Sequence, residues 1–113
     1  MNKREKGTVY ESAASTFLEG KGCEIIERNY RTRYGEIDII FRDGEYLVFA
    51  EVKYRSSDRY GLPQEAVDAR KQHKIRNMAG MYIYDKHIPE DRKIRFDVIA
   101  ILGDKLTHFV NAF

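Results

Sequence analysis

Two carboxylates and a lysine interrupt an apolar, strand-forming stretch of the sequence, YGEIDIIFRDGEYLVFAEVK at residues 34–53. Asp38, Glu51 and Lys53 stand among residues expected to be buried, where charged side chains are rarely tolerated unless they are paired or bind a metal. Two neighbouring carboxylates repel each other unless a positive charge lies between them. Mg²⁺ prefers oxygen ligands, and water and substrate phosphate complete its octahedron. The three residues therefore predict a divalent-metal site that acts on a phosphate ester.

A β-hairpin is predicted to bring the three charged side chains to one face of a sheet. The dipeptide Asp-Gly at 43–44, between two apolar runs, is a strong signal for a two-residue hairpin loop. With that loop, Asp38 faces Phe49 and is a diagonal neighbour of Glu51, roughly 7 to 8 Å away at the backbone. Lys53 lies one step further along the same face, because alternate residues of a strand share a face. The charges therefore line one end of a half-buried sheet.

The opposite face of the predicted hairpin is wholly apolar and is expected to be buried under a helix. Its residues are Ile37, Ile39, Phe41, Tyr46, Val48, Ala50 and Val52. The charged face is apolar near its middle, through Ile40, Leu47 and Phe49, and becomes charged away from the turn. The position of Asp38 on this face, beside the apolar patch, is what favours a site over an ordinary solvated strand.

Each charged residue has a predicted role in the hydrolysis of a phosphate ester. Asp38 and Glu51 would hold the metal, and the backbone carbonyl of Val52 would also reach it. Lys53 would orient the attacking water or stabilise charge that develops on the phosphate. Two simpler readings stay open. Glu51 and Lys53 can form a plain ion pair, and a three-residue loop with a bulge would move Asp38 to the other face.

The elements that must position these residues follow the order α-β-β-β-α-β-β. Helical spacing of apolar residues predicts helices at 5–20 and at about 64–84, with Asp68 as the cap of a second segment in the latter. Strands are predicted at 23–31, 35–41, 46–53, 93–102 and 105–110, with a loop at 56–63. A helix between the third and fourth strands implies a crossover, hence an α/β fold with a mixed central sheet flanked by helices. A length of 113 residues suits one domain, residues 1–113.

Composition excludes several classes of function. The chain is 34% charged, yet its formal net charge is only +2, so any basic surface must come from the distribution of charge. Cys23 is the only cysteine, which excludes an internal disulfide and a multi-cysteine zinc site. His73, His87 and His108 lack zinc-ligand spacing. With no signal-peptide pattern and no apolar run of membrane-spanning length, we expect a cytoplasmic protein without a membrane partner.

Basic and aromatic residues alternate in three segments near the predicted site. This combination suits phosphate contact with base stacking, although a charged solvated surface explains any one segment equally well. The residues predicted to contact nucleic acid are Arg31, Arg33, Tyr34, Arg55, Arg70, Lys71 and Lys74. Gln64 is a secondary candidate at the start of the second helix. Asp97 is expected to form a structural salt bridge with Arg95 or with another basic neighbour rather than to take part in catalysis.

Asp38, followed after twelve residues by Glu51-Val52-Lys53, resembles the PD-(D/E)XK signature of restriction-endonuclease-like nucleases. The tetrapeptide GEID at 35–38 takes the place of the Pro-Asp half. Over nearly its whole length the chain is similar to the YraN-type bacterial family, which looks related to archaeal Holliday-junction resolvases. The matching stretches are GTVYE at 7–11, YRTRYGEIDII at 30–40, LVFAEVKYR at 47–55, GLPQEAVDARKQHKI at 61–75, RFDVIAI at 95–101 and NAF at 111–113.

The resemblance implies a restriction-endonuclease-like α-β-β-β-α-β(-β) core with a metal-dependent phosphodiesterase site. In it Asp38 and Glu51 are metal ligands, Lys53 is the catalytic lysine, and Glu11 on the first helix completes the metal's surroundings. From the residues alone, Glu11 is only a polar helix position.

The expected function is Mg²⁺- or Mn²⁺-dependent endonucleolytic hydrolysis of DNA, in branched or flapped structures, with RNA as an alternative substrate. Two other functions stay open: a nucleic-acid-binding module without turnover, acting in DNA repair or recombination, and a structural protein whose charges form an ion-pair network. A homodimer is plausible because branched DNA presents two strands to cut, but the sequence indicates no interface.

Overall fold

Seven elements follow one another in the predicted order. They are α1 (Lys3–Gly20), β1 (Glu24–Thr32), β2 (Gly35–Asp43), β3 (Tyr46–Arg55), α2 (Ala69–Asp85), β4 (Lys93–Leu102) and β5 (Lys105–Phe109). This computed structural model describes residues 3–56 and 67–113, and side chains from residue 7 onward. The predicted α/β class and the α-β-β-β-α-β-β order are confirmed. No helix within the described ranges is long and apolar enough to cross a membrane.

The five strands form one sheet in sequence order, β1-β2-β3-β4-β5. Three neighbouring pairs are antiparallel, whereas β3 and β4 run parallel. The parallel pair requires a crossover, which contains α2, as expected for strands that no tight hairpin can join. The carboxyl end of β3 and the amino end of β2 therefore lie at the same end of the sheet, away from the β2–β3 turn.

Helix α1 covers one face of the sheet. Ala14 and Leu18 are fully buried against a cluster that includes Ile39, Phe41 and Val48. The helix ends with two backbone hydrogen bonds, from Cys23 N to Leu18 O (3.0 Å) and from Gly22 N to Glu19 O (3.0 Å). Gly22 has a φ of 89°, so the chain turns at a position where a side chain would be strained.

Helix α2 covers the other face. Asp68 is its N-cap, and its side chain accepts a hydrogen bond from Lys71 N (2.9 Å), as the sequence predicted. The buried side of α2 packs on Ile40, Leu47 and Phe49 of the sheet. It consists of Ile75, Met78, Ala79 and Tyr82. With a helix on each face, the sheet is the middle layer of three, and this fixes where its charged end can open to solvent.

The register of the β2–β3 hairpin differs from the predicted one by two residues. Asp43 pairs with Tyr46, so the loop is Gly44-Glu45 rather than Asp43-Gly44. Gly44 has a φ of 59° and is the first loop residue, the arrangement of a type II′ turn, whereas the prediction assumed a type I′ turn with glycine second. Because the shift is even, it does not by itself move side chains to the opposite face. Asp38 moves from opposite Phe49 to just beyond the last ladder pair, Ile39 with Ala50.

Two residues predicted on the α1 face do not lie in its core. Ile37 packs instead in the cluster under α2, because it lies beyond the last β2–β3 pair, where β2 is paired only with β1. Tyr46 is 37% exposed beside the turn, with Arg95 5.1 Å from its ring centroid. The other apolar residues of that face follow the prediction: Ile39, Phe41, Val48 and Ala50 are buried with α1, and Val52 packs against them.

A polar network is buried on the α1 side of β4. Asp97 is fully buried, and its carboxylate accepts hydrogen bonds from Arg95 Nε (2.9 Å), Arg95 Nη2 (2.9 Å) and Asn111 N (2.9 Å). His108 Nε2 lies 2.6 Å from Asp97 Oδ2, and Arg95 Nη2 also binds Asp43 Oδ2 at 2.8 Å. Burial alone would raise the pKa of Asp97, but these hydrogen bonds outweigh it and lower the pKa. The expected structural salt bridge is confirmed.

Replacing Asp97 by alanine should destabilise the fold strongly. The variant leaves Arg95 as a buried cation without its main partner, and breaking a buried pair in this way costs about 3–5 kcal/mol. Denaturant unfolding measures the change. Asp104→Ala, in the exposed turn between β4 and β5, is the matched control and should cost less than about 1 kcal/mol. Equal losses in the two variants would show that the network contributes nothing.

Candidate metal and nucleic-acid site

Three carboxylates converge at the open end of the sheet. Glu11, Glu36 and Asp38 each place a carboxylate oxygen within 4.8 Å of those of the other two. Glu36 and Asp38 are alternate residues of β2, whereas Glu11 comes from α1. Arg28 on β1 donates a hydrogen bond to Ser12 Oγ (3.0 Å), which fastens the sheet to α1 one residue from Glu11. We call Glu11, Glu36 and Asp38 the acidic trio.

Asp38 is the most perturbed acid of the trio. Burial, with the nearby charges of Glu51 and Glu11, raises its pKa from 3.8 to about 8. Its Oδ2 accepts a hydrogen bond from Val52 N at 2.8 Å, which only partly offsets the rise. The carboxyl group lies between the ends of β2 and β3. Because its pKa is raised, it holds a proton at neutral pH unless a cation replaces the proton.

Glu51 is the fourth carboxylate, and two lysines hold it. Its side chain is 6% exposed, and its Oε1 lies 3.2 Å from Lys53 Nζ and 2.5 Å from Lys71 Nζ. Lys53 is two residues further along β3, whereas Lys71 is in the first turn of α2. Two ammonium groups on one carboxylate oxygen supply the positive charge that the buried acid needs.

The pKa values of the two lysines are shifted in opposite directions. Burial and the neighbouring Lys71 lower the pKa of Lys53, although Glu51 opposes this. For Lys71, burial also lowers the pKa, but attraction to Glu51 outweighs it, and the pKa is raised. Lys53 is therefore the lysine of the pair that gives up its proton more readily, a property that suits proton transfer to and from water.

A cleft of about 570 Å³ lies on the α2 side of the sheet and reaches several of these groups, though neither Glu11 nor Lys53 is among its lining residues. Asp38 and Glu51 both line it, so the two carboxylates lie on the same side of the sheet. Its other lining residues are Tyr34, Gly35, Glu36, Asp68, Arg70, Lys71, Lys74, Ile75 and Met78. Carboxylates thus line the cleft together with three basic side chains from the start of α2. We call this space the acidic cleft.

The residues predicted to contact nucleic acid differ in the contacts that they make. Arg31 pairs with Glu36 (Nε to Oε2, 3.4 Å). Arg33 donates from Nη2 to the hydroxyl of Tyr34 (2.7 Å), and Arg55 donates to its neighbour's carbonyl, Tyr54 O (3.0 Å). Tyr34, Arg70, Lys71 and Lys74 line the acidic cleft. Gln64 lies outside the described residues.

The donor set fits a hard divalent cation. Mg²⁺ takes oxygen ligands, and it is usually held by one or two carboxylates with several waters. The trio offers carboxylate oxygens at spacings that a cation can bridge, and burial, together with the neighbouring carboxylates, raises the pKa of Asp38. The chain offers no thiolate there, since Cys23 is buried elsewhere with the α1 cluster. Asp38, Glu11 and Glu36 are the residues that would hold the ion, with Glu51 beside them.

Two features of the site were missed by the sequence analysis. Glu36 was not assigned a role. Its spacing of two from Asp38 on one strand was the available signal. The contact of Lys71 with Glu51 had no signal in the sequence, because it depends on how α2 packs across the sheet.

Lys71 is expected to compete with a metal for Glu51. Lys71→Ala removes one of the two ammonium groups on that carboxylate, so Mn²⁺ should bind about three- to tenfold more tightly, a modest gain because Lys71 is 35% exposed and partly screened. Titration calorimetry at fixed pH measures the metal affinity. Lys74→Ala, which alters the cleft without touching Glu51, is the control. Unchanged or weaker metal binding in Lys71→Ala would contradict the competition.

Comparison with known proteins places the chain among bacterial relatives of similar length. The model of Uncharacterised protein family UPF0102 matches residues 10–101. A UPF0102 protein of Lachnoclostridium phytofermentans is 43% identical over 113 residues, covering 100% of this chain and 96% of the relative. One from Acetivibrio thermocellus is 49% identical over 105 residues, covering 92% and 80%. One from Thermodesulfovibrio yellowstonii is 43% identical over 113 residues, covering 100% and 99%. The resemblance to the YraN-type family is thereby confirmed.

Proposed function

Because the chain belongs to the uncharacterised protein family UPF0102, whose name states no activity, we propose its function from the acidic cleft: divalent-metal-dependent endonucleolytic hydrolysis of DNA. One observation carries the proposal. Four carboxylates and two lysines meet at one end of the sheet, with Lys53 and Lys71 both on Glu51 and the acidic trio beside them. Such a set suits a phosphate ester, which needs both a cation site and positive side chains.

The roles follow from the position of each group. Asp38 and the other acids of the trio supply oxygen ligands, and Glu51 stands between them and the lysines. A bound Mg²⁺ or Mn²⁺ supplies Lewis-acid polarisation of the phosphate and lowers the pKa of a coordinated water. Lys53, whose ammonium group lies on Glu51, would orient the attacking water or stabilise the charge on the phosphate. The carbonyl of Val52 stays a proposed further ligand, since the amide of the same residue already binds Asp38.

DNA is the substrate that the surroundings of the cleft favour. Arg70, Lys71 and Lys74 of α2 stand along its wall, and basic groups spaced along a helix suit successive backbone phosphates. Recognition by backbone contacts would select for the shape of the nucleic acid more than for its sequence.

A cleavage panel tests the proposal. Labelled duplex, four-way junction, flap and single-stranded DNA are incubated with wild type in Mg²⁺, in Mn²⁺ and in EDTA. We expect cleavage of at least one substrate that depends on the metal and is lost in EDTA. If no substrate is cut in either metal, the enzymatic proposal fails.

The rival function, nucleic-acid binding without turnover, has one specific observation in its favour. Lys53 and Lys71 already neutralise Glu51 without a metal, so the cleft can be stable as an ion-pair network. That function predicts salt-dependent DNA binding that neither Mg²⁺ nor Asp38→Asn alters beyond a simple change of charge.

A further inference from the structure

A second pocket adjoins the acidic cleft at the turn between β1 and β2. It has a volume of about 410 Å³ and is lined by Arg33, Tyr34, Lys74, Asn77 and Met81. Tyr34 and Lys74 line the acidic cleft as well, so the two spaces share a wall. We call this second space the turn pocket. Its chemistry differs from that of the cleft, because it holds no carboxylate among its lining residues.

The helix α2 joins the cleft to the turn pocket along one side. Lys71 and Lys74 line the cleft, and Lys74, Asn77 and Met81 line the pocket. Spacings of three and four residues keep these side chains on one face of the helix. From Lys71 to Met81 that face extends for about 15 Å at the helical rise per residue. A strand whose phosphate lay in the cleft could therefore continue along α2 into the turn pocket.

The turn pocket offers the groups that bind a nucleobase. Tyr34 is 53% exposed, and the Arg33 guanidinium lies 5.0 Å from its ring centroid, so two flat groups stand together at the pocket wall. Aromatic rings and guanidinium planes are the usual stacking partners of unpaired bases. Met81, which is 36% exposed, adds a polarizable apolar contact. Asn77 carries an amide that can both donate to and accept from a base edge.

We infer that the turn pocket binds an unpaired nucleotide next to the scissile phosphate, which makes a flapped or forked DNA the substrate class. A base within a duplex cannot enter, because its faces are covered by its neighbours and its pairing edge is occupied. A four-way junction, in which every base is paired, has nothing to offer this pocket. Lys74, shared by the two spaces, would hold the phosphate between the cut and the unpaired base. The inference rests on the proposed nuclease function of the acidic cleft.

Binding without cleavage tests the inference. Fluorescence anisotropy in EDTA compares a flap carrying a single-stranded arm with the same duplex lacking the arm and with a four-way junction. Stacking of one base is worth about a tenfold change in affinity or more. We expect wild type to bind the flap about tenfold more tightly than the duplex. Tyr34→Ala should lower the affinity for the flap to that for the duplex, whereas Tyr34→Phe should keep the preference.

The control variant is Tyr84→Ala, which removes a tyrosine that is 82% exposed at the far end of α2. It should bind all three DNAs as wild type does. A 2-aminopurine placed at the first unpaired position should be quenched by wild type and not by Tyr34→Ala.

The outcomes separate the inference from the function on which it rests. Equal losses of flap and duplex affinity in Tyr34→Ala, or a wild type that binds flap and duplex alike, would overturn the inference while metal-dependent cleavage could still stand. Loss of all cleavage in the substrate panel, with the flap preference and the quenching intact, would instead remove the nuclease proposal and leave the pocket as a binding site.

Discussion

Lys53→Ala is expected to reduce metal-dependent DNA cleavage by about 10²- to 10⁴-fold, the range for loss of a proton-transfer or charge-stabilising group. Binding of DNA should stay within about twofold of wild type. The reason is that Lys53 Nζ lies on Glu51 at 3.2 Å, inside the site rather than on the basic wall of the cleft. The fold should survive, because Lys71 continues to neutralise Glu51. Single-turnover cleavage and anisotropy in EDTA measure the two effects separately.

Lys93→Ala is the matched control for Lys53→Ala. Lys93 begins β4 at the opposite end of the sheet, where it pairs with the exposed Glu45 (2.8 Å), and its loss should change neither cleavage nor binding. Cleavage by Lys53→Ala within tenfold of wild type would show that the lysine has no catalytic role. A parallel loss of binding and cleavage would assign it to DNA contact.

Asp38→Asn is expected to abolish metal binding and cleavage while making the metal-free protein more stable. Asparagine can still accept the hydrogen bond from Val52 N, and it is neutral without taking up the proton that burial and the charges of Glu51 and Glu11 impose on Asp38 when the chain folds. At pH 7 the gain should be about 2 to 4 kcal/mol, the lower end reflecting partial exposure of the site to water. Denaturant unfolding in EDTA measures stability, and calorimetric titration with Mn²⁺ measures metal binding.

The stability gained by Asp38→Asn should depend on pH in a defined direction. The folded pKa of Asp38 is about 8, above its ordinary value of 3.8, so the folded state binds this proton more tightly than the unfolded chain. The wild type therefore loses stability relative to the variant as the pH rises from about 4 to about 8. The difference should be small at pH 4 and level off above pH 8. If the difference in unfolding free energy between variant and wild type is constant over this pH range, the pKa of Asp38 is not raised in the folded state.

A bound metal should offset much of the stability difference between Asp38→Asn and wild type. Because an ion must displace the proton of Asp38, Mn²⁺ affinity of the wild type should rise with pH up to about 8. An ion at a hundred times its dissociation constant stabilises the folded state by about 2.7 kcal/mol, a gain that Asp38→Asn cannot have. An acid that weakens the fold and is needed for ligand binding is typical of a functional site.

The element order could be read from the sequence because local signals agreed with the fold. Alternation of apolar residues predicted the strands, and Asp68 predicted the start of α2, each from a short stretch of chain. The hairpin turn was predicted at the right place but one loop residue too early, because Asp-Gly and Gly-Glu both suit a two-residue loop and only the turn type separates them. The resulting shift of two residues left side chains of the paired part of the hairpin on their predicted faces, but it changed every cross-strand partner, including that of Asp38.

Only part of the site could be predicted from the sequence, because its side chains come from four different helices and strands. Asp38, Glu51 and Lys53 lie on one hairpin, and their convergence followed from strand geometry. Glu11 came from the resemblance to a family and not from its own surroundings. Glu36 could have been assigned from its spacing on β2, whereas the Lys71 contact required the packing of α2 against the sheet, which local sequence does not encode. The position of the turn pocket depends on the same packing.

A crystal of the wild type soaked in Mn²⁺ and examined by anomalous scattering tests the central claim most directly. We expect a strong anomalous peak within bonding distance of the carboxylate of Asp38 and of at least one further acid among Glu11, Glu36 and Glu51. If no peak is found at these carboxylates at millimolar Mn²⁺ and Lys71 still contacts Glu51, the metal site is contradicted and the charged cluster is an ion-pair network.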